Sequence, residues 1–297
     1  MRNTIILNPA AGRGQGRKRL AELQALLERE GVGRDWQIVE TDAPGQATGI
    51  ARQRAEAGAP IVAAAGGDGT LNEVVNGLVG TGAQLGLLPL GTGNDFARCL
   101  GIGTDLSFAV STLVRGVARP VDLGQARGRW FLNIAGCGFD AIVAERVNRG
   151  FRSLHGTGAY LAAVAQSLIA LRPAEMRLTL DGEALSVRAL MCSVANSTSY
   201  GGGMLIAPNA QLDDGLFDIC LLREAGRIEF LRAFPRVFKG THITHPKVTM
   251  LRAKVVGVES DPPLPILIDG DVIGTTPVTF TLTPAAIHVL APIRPNG

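Results

Sequence analysis

The chain has 297 residues, 46% hydrophobic and 19% charged. That is enough apolar material for two domains or one large one, and it excludes a disordered tail. A net charge of +3 and an aromatic content of 5% exclude a nucleic-acid binder built on a basic face or on base stacking, while permitting weak attraction to an anionic lipid surface.

Glycine is in excess at 38 residues, against the roughly 20 that the usual ~7% would give. There is no Gly-X-Y period, so the excess belongs to loops and tight turns. Cys99, Cys137, Cys192 and Cys220 form no CxxC pair, which fits a reducing compartment. The apolar run Ile5-Ile6-Leu7 is too short for a signal-peptide core, and no 18-residue apolar stretch occurs. A cytoplasmic location is therefore expected. The mean hydropathy of +0.21 is high for a soluble chain and leaves membrane-surface contact open.

The first 120 or so residues alternate strand and helix signals. Thr4 to Leu7 reads as a strand that runs into the loop Asn8 to Gly16. A helix follows, with Leu20, Leu23 and Leu27 on one face. Trp36 to Glu40 is a second strand and Gly45 to Ala57 a second helix. Pro60 to Ala65 is an apolar strand entering Gly66-Gly67-Asp68-Gly69-Thr70, with a helix from Leu71 to Leu78. Leu85 to Leu88 is a strand ending in Pro89-Leu90-Gly91-Thr92-Gly93-Asn94-Asp95. Strand, turn and helix in repetition mean parallel strands joined by crossovers, whose ligands bind at the strands' carboxyl ends. All three glycine-rich loops fall there.

From about residue 122 the texture changes. Trp130 to Ala135, Glu175 to Leu180, Leu185 to Val194, Leu216 to Leu222, Lys247 to Val256, Pro265 to Ile268, Val278 to Leu282 and Ile287 to Leu290 read as strands between turns. Asp181-Gly182 is a hairpin signal. One helix is expected, with Leu161, Val164, Leu168 and Leu171 on one face and Pro173 closing it. The expected organisation is an α/β domain over residues 1–122, with 288–297 as a candidate completion, and a mostly antiparallel β-rich domain over 123–287.

The loop from Gly66 to Glu73 is the most informative stretch. Its glycines let the backbone approach a ligand, and the free N–H groups of the helix it opens attract an anion. Thr70 can cap that helix, with Glu73 as its capping-box partner. Asp68 is a carboxylate in an anion-binding turn, which makes sense if a divalent cation sits between it and a polyphosphate; the alternative is a plain Asx turn. Gly91, Thr92, Gly93 and Asn94 repeat the logic on a second strand end. In the first loop Arg13 can pair with phosphate oxygens. That loop is not a P-loop, because Arg17 stands where the second glycine belongs. Gly136-Cys137-Gly138-Phe139-Asp140-Ala141 matches GxGxxA but lacks the acidic residue some 20 positions on that a dinucleotide site needs. His242 and His245 lack an evident third metal ligand.

Asn8-Pro9-Ala10-Ala11-Gly12, Gly66 to Glu73 and Pro89 to Arg98, in that order, resemble the diacylglycerol kinase catalytic domain. Gly201 to Pro208, Asp213 to Asp218 and Asp269-Gly270-Asp271 are similar to the C-terminal half of bacterial soluble lipid kinases of the YegS type. The resemblance covers nearly the whole chain. It implies a fold of two domains: an N-terminal α/β domain like that of NAD kinase and phosphofructokinase, with a parallel sheet and flanking helices, and a C-terminal antiparallel β-sandwich. ATP and a lipid would meet between them.

It further implies that Asn8, Gly12, Arg13, Thr41, Gly66, Gly67, Asp68, Gly69, Thr70, Leu71, Asn72, Glu73, Gly91, Thr92, Gly93 and Asn94 serve the nucleotide. Asp214, with backbone oxygens of Gln211 and Leu216, would hold a structural Mg²⁺. Asp271 stands where the family usually has a glutamate taken as proton acceptor, so it is the candidate base, with Asp68 second. The shorter side chain loses roughly 1.5 Å of reach. The expected activity is ATP- and Mg²⁺-dependent phosphorylation of a lipid alcohol by a peripherally membrane-associated enzyme, diacylglycerol or phosphatidylglycerol being examples. The rivals are an NAD kinase-like enzyme acting on a soluble acceptor and a non-catalytic nucleotide sensor.

Overall fold

The computed structural model describes residues 2–150, 167 and 172–293. The chain divides into two compact units. One holds Met1–Leu123 and Thr283–Gly297, the other Gly124–Leu282.

The first unit is built on parallel strands in the order β2 (Trp36–Glu40), β1 (Asn3–Leu7), β3 (Ile61–Gly66), β4 (Gln84–Pro89), with the last part of β15 (Val278–Ala291) beside β4. Ile5, Ile6, Leu7, Val62, Ala63, Ala65, Leu85 and Leu88 are fully or almost fully buried. Such unbroken apolar runs are what a parallel sheet covered on both faces requires. Helices α1 (Ala11–Lys18, broken by the left-handed residues Gly12, Arg13 and Gly14), α2 (Leu20–Arg29), α3 (Gln46–Glu56), α4 (Asp68–Leu78), α5 (Asp95–Cys99) and α6 (Leu106–Arg115) complete the unit. The leucine stripe of α2 buries Leu23 and Leu27 as its spacing predicts. Asp105 caps α6, its carboxylate accepting from the Phe108 N–H at 3.0 Å.

The second unit pairs its strands antiparallel in the order β14 (Asp271–Thr275), β13 (Pro265–Ile268), β7 (Ile134–Gly138), β9 (Glu183–Ala195), β8 (Ala174–Leu180), β12 (Val255–Asp261) and the start of β15. From β9 branch β10 (Phe217–Arg223) and β11 (Val248–Ala253). Alternation is clean on β8, where Ala174, Met176 and Leu178 point into the core. The core centres on Phe131, stacked on Phe217 at 5.6 Å and edge-on to Phe280 at 6.3 Å. Burying one such ring contributes about 2–3 kcal/mol. Helix α7 (Phe139–Gly150) follows β7, and α8 (Arg227–Ala233) lies between β10 and β11. The helix expected around Leu161 to Leu171 lies outside the described residues.

Four expected strands differ. The run from Trp130 to Ala135 is two strands, β6 (Arg129–Phe131) and β7; Lys247 to Val256 is also two; and Val278 to Leu282 with Ile287 to Leu290 is one continuous strand. The first break has a clear cause. The Asp269 carboxylate accepts from the backbone N–H groups of Leu132 (2.9 Å), Asn133 (3.0 Å) and Ile134 (3.1 Å), bending the chain around itself. Asp269 sits at φ 43°, a left-handed position that Asp and Asn tolerate.

Losing three charge-assisted bonds, each worth roughly 1.5–3 kcal/mol, should cost on the order of 5 kcal/mol. Asp269→Ala is therefore expected to lower the urea midpoint strongly, while Asp269→Asn, which keeps an acceptor, loses less. Equal stability of the alanine variant and the native chain would show that the carboxylate does not hold this bend.

Candidate active site

In the first unit, the loops after β1, β3 and β4 meet at the strands' carboxyl ends. Strands β3 and β4 run in register, with Gly66 opposite Pro89, so their following residues leave side by side. Gly67 and Gly91 then touch through their backbones: a Cβ on Gly91 would lie 2.4 Å from the Gly67 Cα. Gly12, at φ 58°, closes the first loop onto the third, and a Cβ there would lie 2.4 Å from the Leu90 carbonyl oxygen. The Asn8 amide donates to the Thr70 hydroxyl at 2.9 Å, tying the first loop to α4. The Asn94 side chain closes its own turn, accepting from Gly91 N–H at 3.0 Å and donating to Gly91 O at 2.8 Å.

Helix α4 begins at Asp68, three residues earlier than the sequence reading, with Gly67 as its N-cap and no side chain capping it. Thr70 is consequently inside the helix, and Glu73 is not its capping partner. The Glu73 carboxylate accepts instead from Gly45 N–H (2.8 Å) and Ala47 N–H (3.1 Å), fastening the start of α3. An uncapped helix N-terminus at a glycine turn presents donors to an anion. Asp68 lies among them, half-buried, and accepts a long hydrogen bond from Phe96 N–H at 3.4 Å. Burial first, and then the buried Asp95 carboxylate, push its carboxyl above the usual range. A cation bound there would remove that penalty, so these residues fit a metal-bound polyphosphate.

Other candidates take different places. Gly69 is exposed in the first turn of α4, Thr92 is exposed in the turn after β4, and Arg13 is exposed on the left-handed turn of the first loop. Thr41 is buried just after β2, its N–H donating to Leu7 O at 2.9 Å. Leu71 and Asn72 are buried on α4, and Asn72 accepts from the Asn76 amide. These two shape the helix.

In the second unit, Asp271 begins β14. It is exposed, and its Oδ2 accepts from Arg129 at 2.8 Å. It borders a wide depression with Ile142, Glu145 and Val272. Asp214 accepts from Leu216 N–H at 3.1 Å and is paired with Arg252, whose Nε also lies 3.7 Å from Asp218. Gln211 is exposed. The Asp214 carboxylate thus has one donor on each oxygen, Leu216 N–H on Oδ1 and Arg252 on Oδ2, and keeps further lone pairs. Among the described residues no cluster of three or more His, Cys, Asp or Glu side chains could hold a metal. His242 and His245 form no metal pair. His242 is buried against Ile206 O at 3.1 Å, and His245 lies 3.8 Å from Glu229.

An apolar pocket of the second unit was not anticipated. Phe139, Met191, Met204, Ile206, Phe230 and Phe234 are among its walls, and Asp140 and Glu229 are its carboxylates. Asp140 accepts from the Ser193 hydroxyl at 3.0 Å and from Ala141 N–H at 2.8 Å. Burial drives its carboxyl up to about 6. The GxGxxA match had drawn attention to this stretch for a different reason, and only burial reveals the acid's character.

The N-terminal unit thus has the layout of a nucleotide-binding α/β domain, with anion-binding turns gathered at one sheet end. Residues 2–126 match the diacylglycerol kinase catalytic domain, and residues 133–291 match the YegS C-terminal NAD kinase beta sandwich-like domain. The chain is similar to the diacylglycerol kinase of Bacillus subtilis, 36% identical over 98% of this chain and 96% of that one. It is also similar to that of Mycobacterium tuberculosis, 38% identical over 97% and 94%. A solved diacylglycerol kinase fold from Bacillus anthracis aligns over 98% of this chain and 97% of its own, with a TM-score of 0.80 and 26% identity. The chain belongs to the YegS-type diacylglycerol kinase family and is a lipid kinase.

Because Asp140 is ordinary at 3.8 when unfolded and about 6 when folded, the folded state holds the extra proton. Its ionisation therefore destabilises the fold fully above pH 6, and that penalty fades as pH falls toward 4. Asp140→Asn should be more stable than the native chain at pH 7, by an amount on the order of 2–3 kcal/mol. The gap should close toward pH 4. A gap that does not change with pH in thermal melts would contradict the assignment.

Proposed function

We propose that this lipid kinase transfers the γ-phosphoryl group of Mg²⁺-ATP to a hydroxyl of a membrane lipid, with diacylglycerol and phosphatidylglycerol as the leading acceptors. The observation that carries the reading is the closure of the Gly67 and Gly91 turns on one another beside Asp68, at the uncapped start of α4. Phosphoryl transfer asks a protein mainly for positioning, charge neutralisation and an acceptor for the hydroxyl proton. The backbone N–H groups that open α4 bind phosphate oxygens, aided by the helix dipole. Asp68 holds the Mg²⁺, which when bound neutralises phosphate charge. Arg13 and Thr92, exposed at the loop tips, reach the nucleotide's outer groups.

Asp271 accepts the hydroxyl proton, and Arg129 on its Oδ2 fixes the carboxylate's orientation. The enzyme works as a peripheral protein at the membrane surface, because a lipid's tails stay in the bilayer. Among the described residues no helix is long and apolar enough to cross a membrane.

Incubation with γ-labelled ATP and a panel of diacylglycerol, phosphatidylglycerol, a sphingoid base and NAD should label lipid and leave NAD unlabelled. Asp271→Asn should lower kcat at least about 100-fold with ATP binding retained, the scale of a lost general base. Asp68→Asn should weaken the dependence on Mg²⁺. Full turnover by the Asp271 variant would remove it from the base role. Label on NAD would favour the soluble-acceptor rival, and tight ATP binding without transfer to any acceptor would favour the sensor.

A further inference from the structure

Helix α8 and the 3-10 segment Phe234–Lys239 that follows it form one strip with two unlike faces. The inner face buries Phe230 and Val237 and, with Ala233 and Phe234, walls the apolar pocket. Its rings are tightly matched: Phe139 lies 4.7 Å from Phe230, and Phe230 lies 5.7 Å from Phe234. The outer face carries Ile228 (66% exposed) and Leu231 (51%), and Phe238 (41%) stands at its end, edge-on to Phe234 at 6.0 Å. A spacing of three puts Ile228 and Leu231 on one side of α8, and Phe238 is exposed on the 3-10 segment beyond it. Single exposed apolar side chains are ordinary, but a row of three large ones on one short strip is a contact surface.

The polar surroundings identify the contact. From Arg223 to Lys239 there are five basic residues against two acidic ones. The excess of three equals that of the entire chain. Both acids are engaged elsewhere. Glu224 pairs with Arg188 at 3.2 Å, and Glu229 accepts from Gly226 N–H at 3.3 Å and faces His245 at 3.8 Å. Arg227, Arg232 and Lys239 are exposed around the apolar row. Apolar tips ringed by guanidinium and ammonium groups complement a surface that is anionic outside and hydrocarbon beneath.

We propose that the outer face of α8 and the 3-10 segment is a docking surface for an anionic membrane. Ile228, Leu231 and Phe238 enter the boundary between headgroups and acyl chains, and Arg227, Arg232 and Lys239 engage lipid phosphates. This rests on the lipid-kinase reading, since a membrane-held substrate is what makes docking useful. It adds a place to the contact: the inner side of the same strip walls the unit's apolar pocket.

The full chain should sediment with vesicles of phosphatidylglycerol and phosphatidylcholine (1:1) and far less with phosphatidylcholine alone, and 1 M NaCl should weaken the binding. The triple variant Ile228→Ser, Leu231→Ser, Phe238→Ser should lower the partition coefficient at least tenfold, and Arg232→Ala with Lys239→Ala several-fold. Both variants should phosphorylate a monomeric short-chain diacylglycerol at the native rate and lose activity only on vesicles. Unchanged partitioning of both variants, or an equal loss on the monomeric substrate, would overturn the docking surface. So would variants that convert a dimer to a monomer while still binding vesicles, which would assign the strip to a second copy of the chain. Strip-dependent vesicle binding without transfer to any lipid would support docking and sink the kinase reading instead.

Discussion

The close approach of Gly67 to Gly91 is the contact on which the nucleotide end of the first unit depends. Parallel strands in register deliver the two turns side by side, and any side chain at Gly91 would hit the neighbouring backbone at 2.4 Å. With the turns closed, the Asp68 carboxylate is held beside Gly93, where even a Cβ would lie 2.7 Å from its Oδ2. The same closure makes that carboxylate uncomfortable, because it lies half-buried near the buried Asp95. A place that gathers uncapped N–H donors and also raises the cost of a carboxylate favours a ligand that is anionic at one end and carries a cation at the other. Metal-bound triphosphate meets both conditions, whereas a bare phosphate meets only the first.

Local signals in the chain read well where one element's own residues decide its state. The strand Trp36–Glu40, the leucine stripe of α2 and the strand Pro265–Ile268 follow from side-chain pattern alone. Distant partners decided the rest. The Thr70–Glu73 spacing satisfies the capping-box pattern, yet the Glu73 carboxylate serves α3, whose start is 26 residues away. Nothing near Trp130 announces a break, since the group that bends the chain after it is Asp269, 137 residues beyond Leu132. The apolar pocket and the raised Asp140 likewise depend on α7, β9 and α8 packing together, which no spacing encodes. The glycine loops were legible because glycine is selected by backbone approach, a demand visible in residue type.

Asp269 and Asp271, two positions apart, show how one short turn separates structure from chemistry. Asp269 spends its carboxylate on three backbone N–H groups and cannot also serve a substrate. Asp271 is solvent-facing, with one oxygen on the Arg129 guanidinium rather than on backbone N–H groups. A substitution series that treated the Asp-Gly-Asp turn as a unit would therefore mix loss of the bend at Leu132 to Ile134 with loss of the Arg129 ion pair.

The Asp214–Asp218–Arg252 group raises a parallel question about where positive charge comes from. Arg252 stands directly opposite Asp218 across the β10–β11 ladder, so its guanidinium is delivered to both acids by strand pairing. Asp218 is still pushed upward, mainly by burial, with Arg252 opposing and Asp214 adding to the shift. The pairing is therefore a product of strand register: the ladder carries Arg252 to the turn from Asp213 to Gly215 and fastens that turn by an ion pair within the fold.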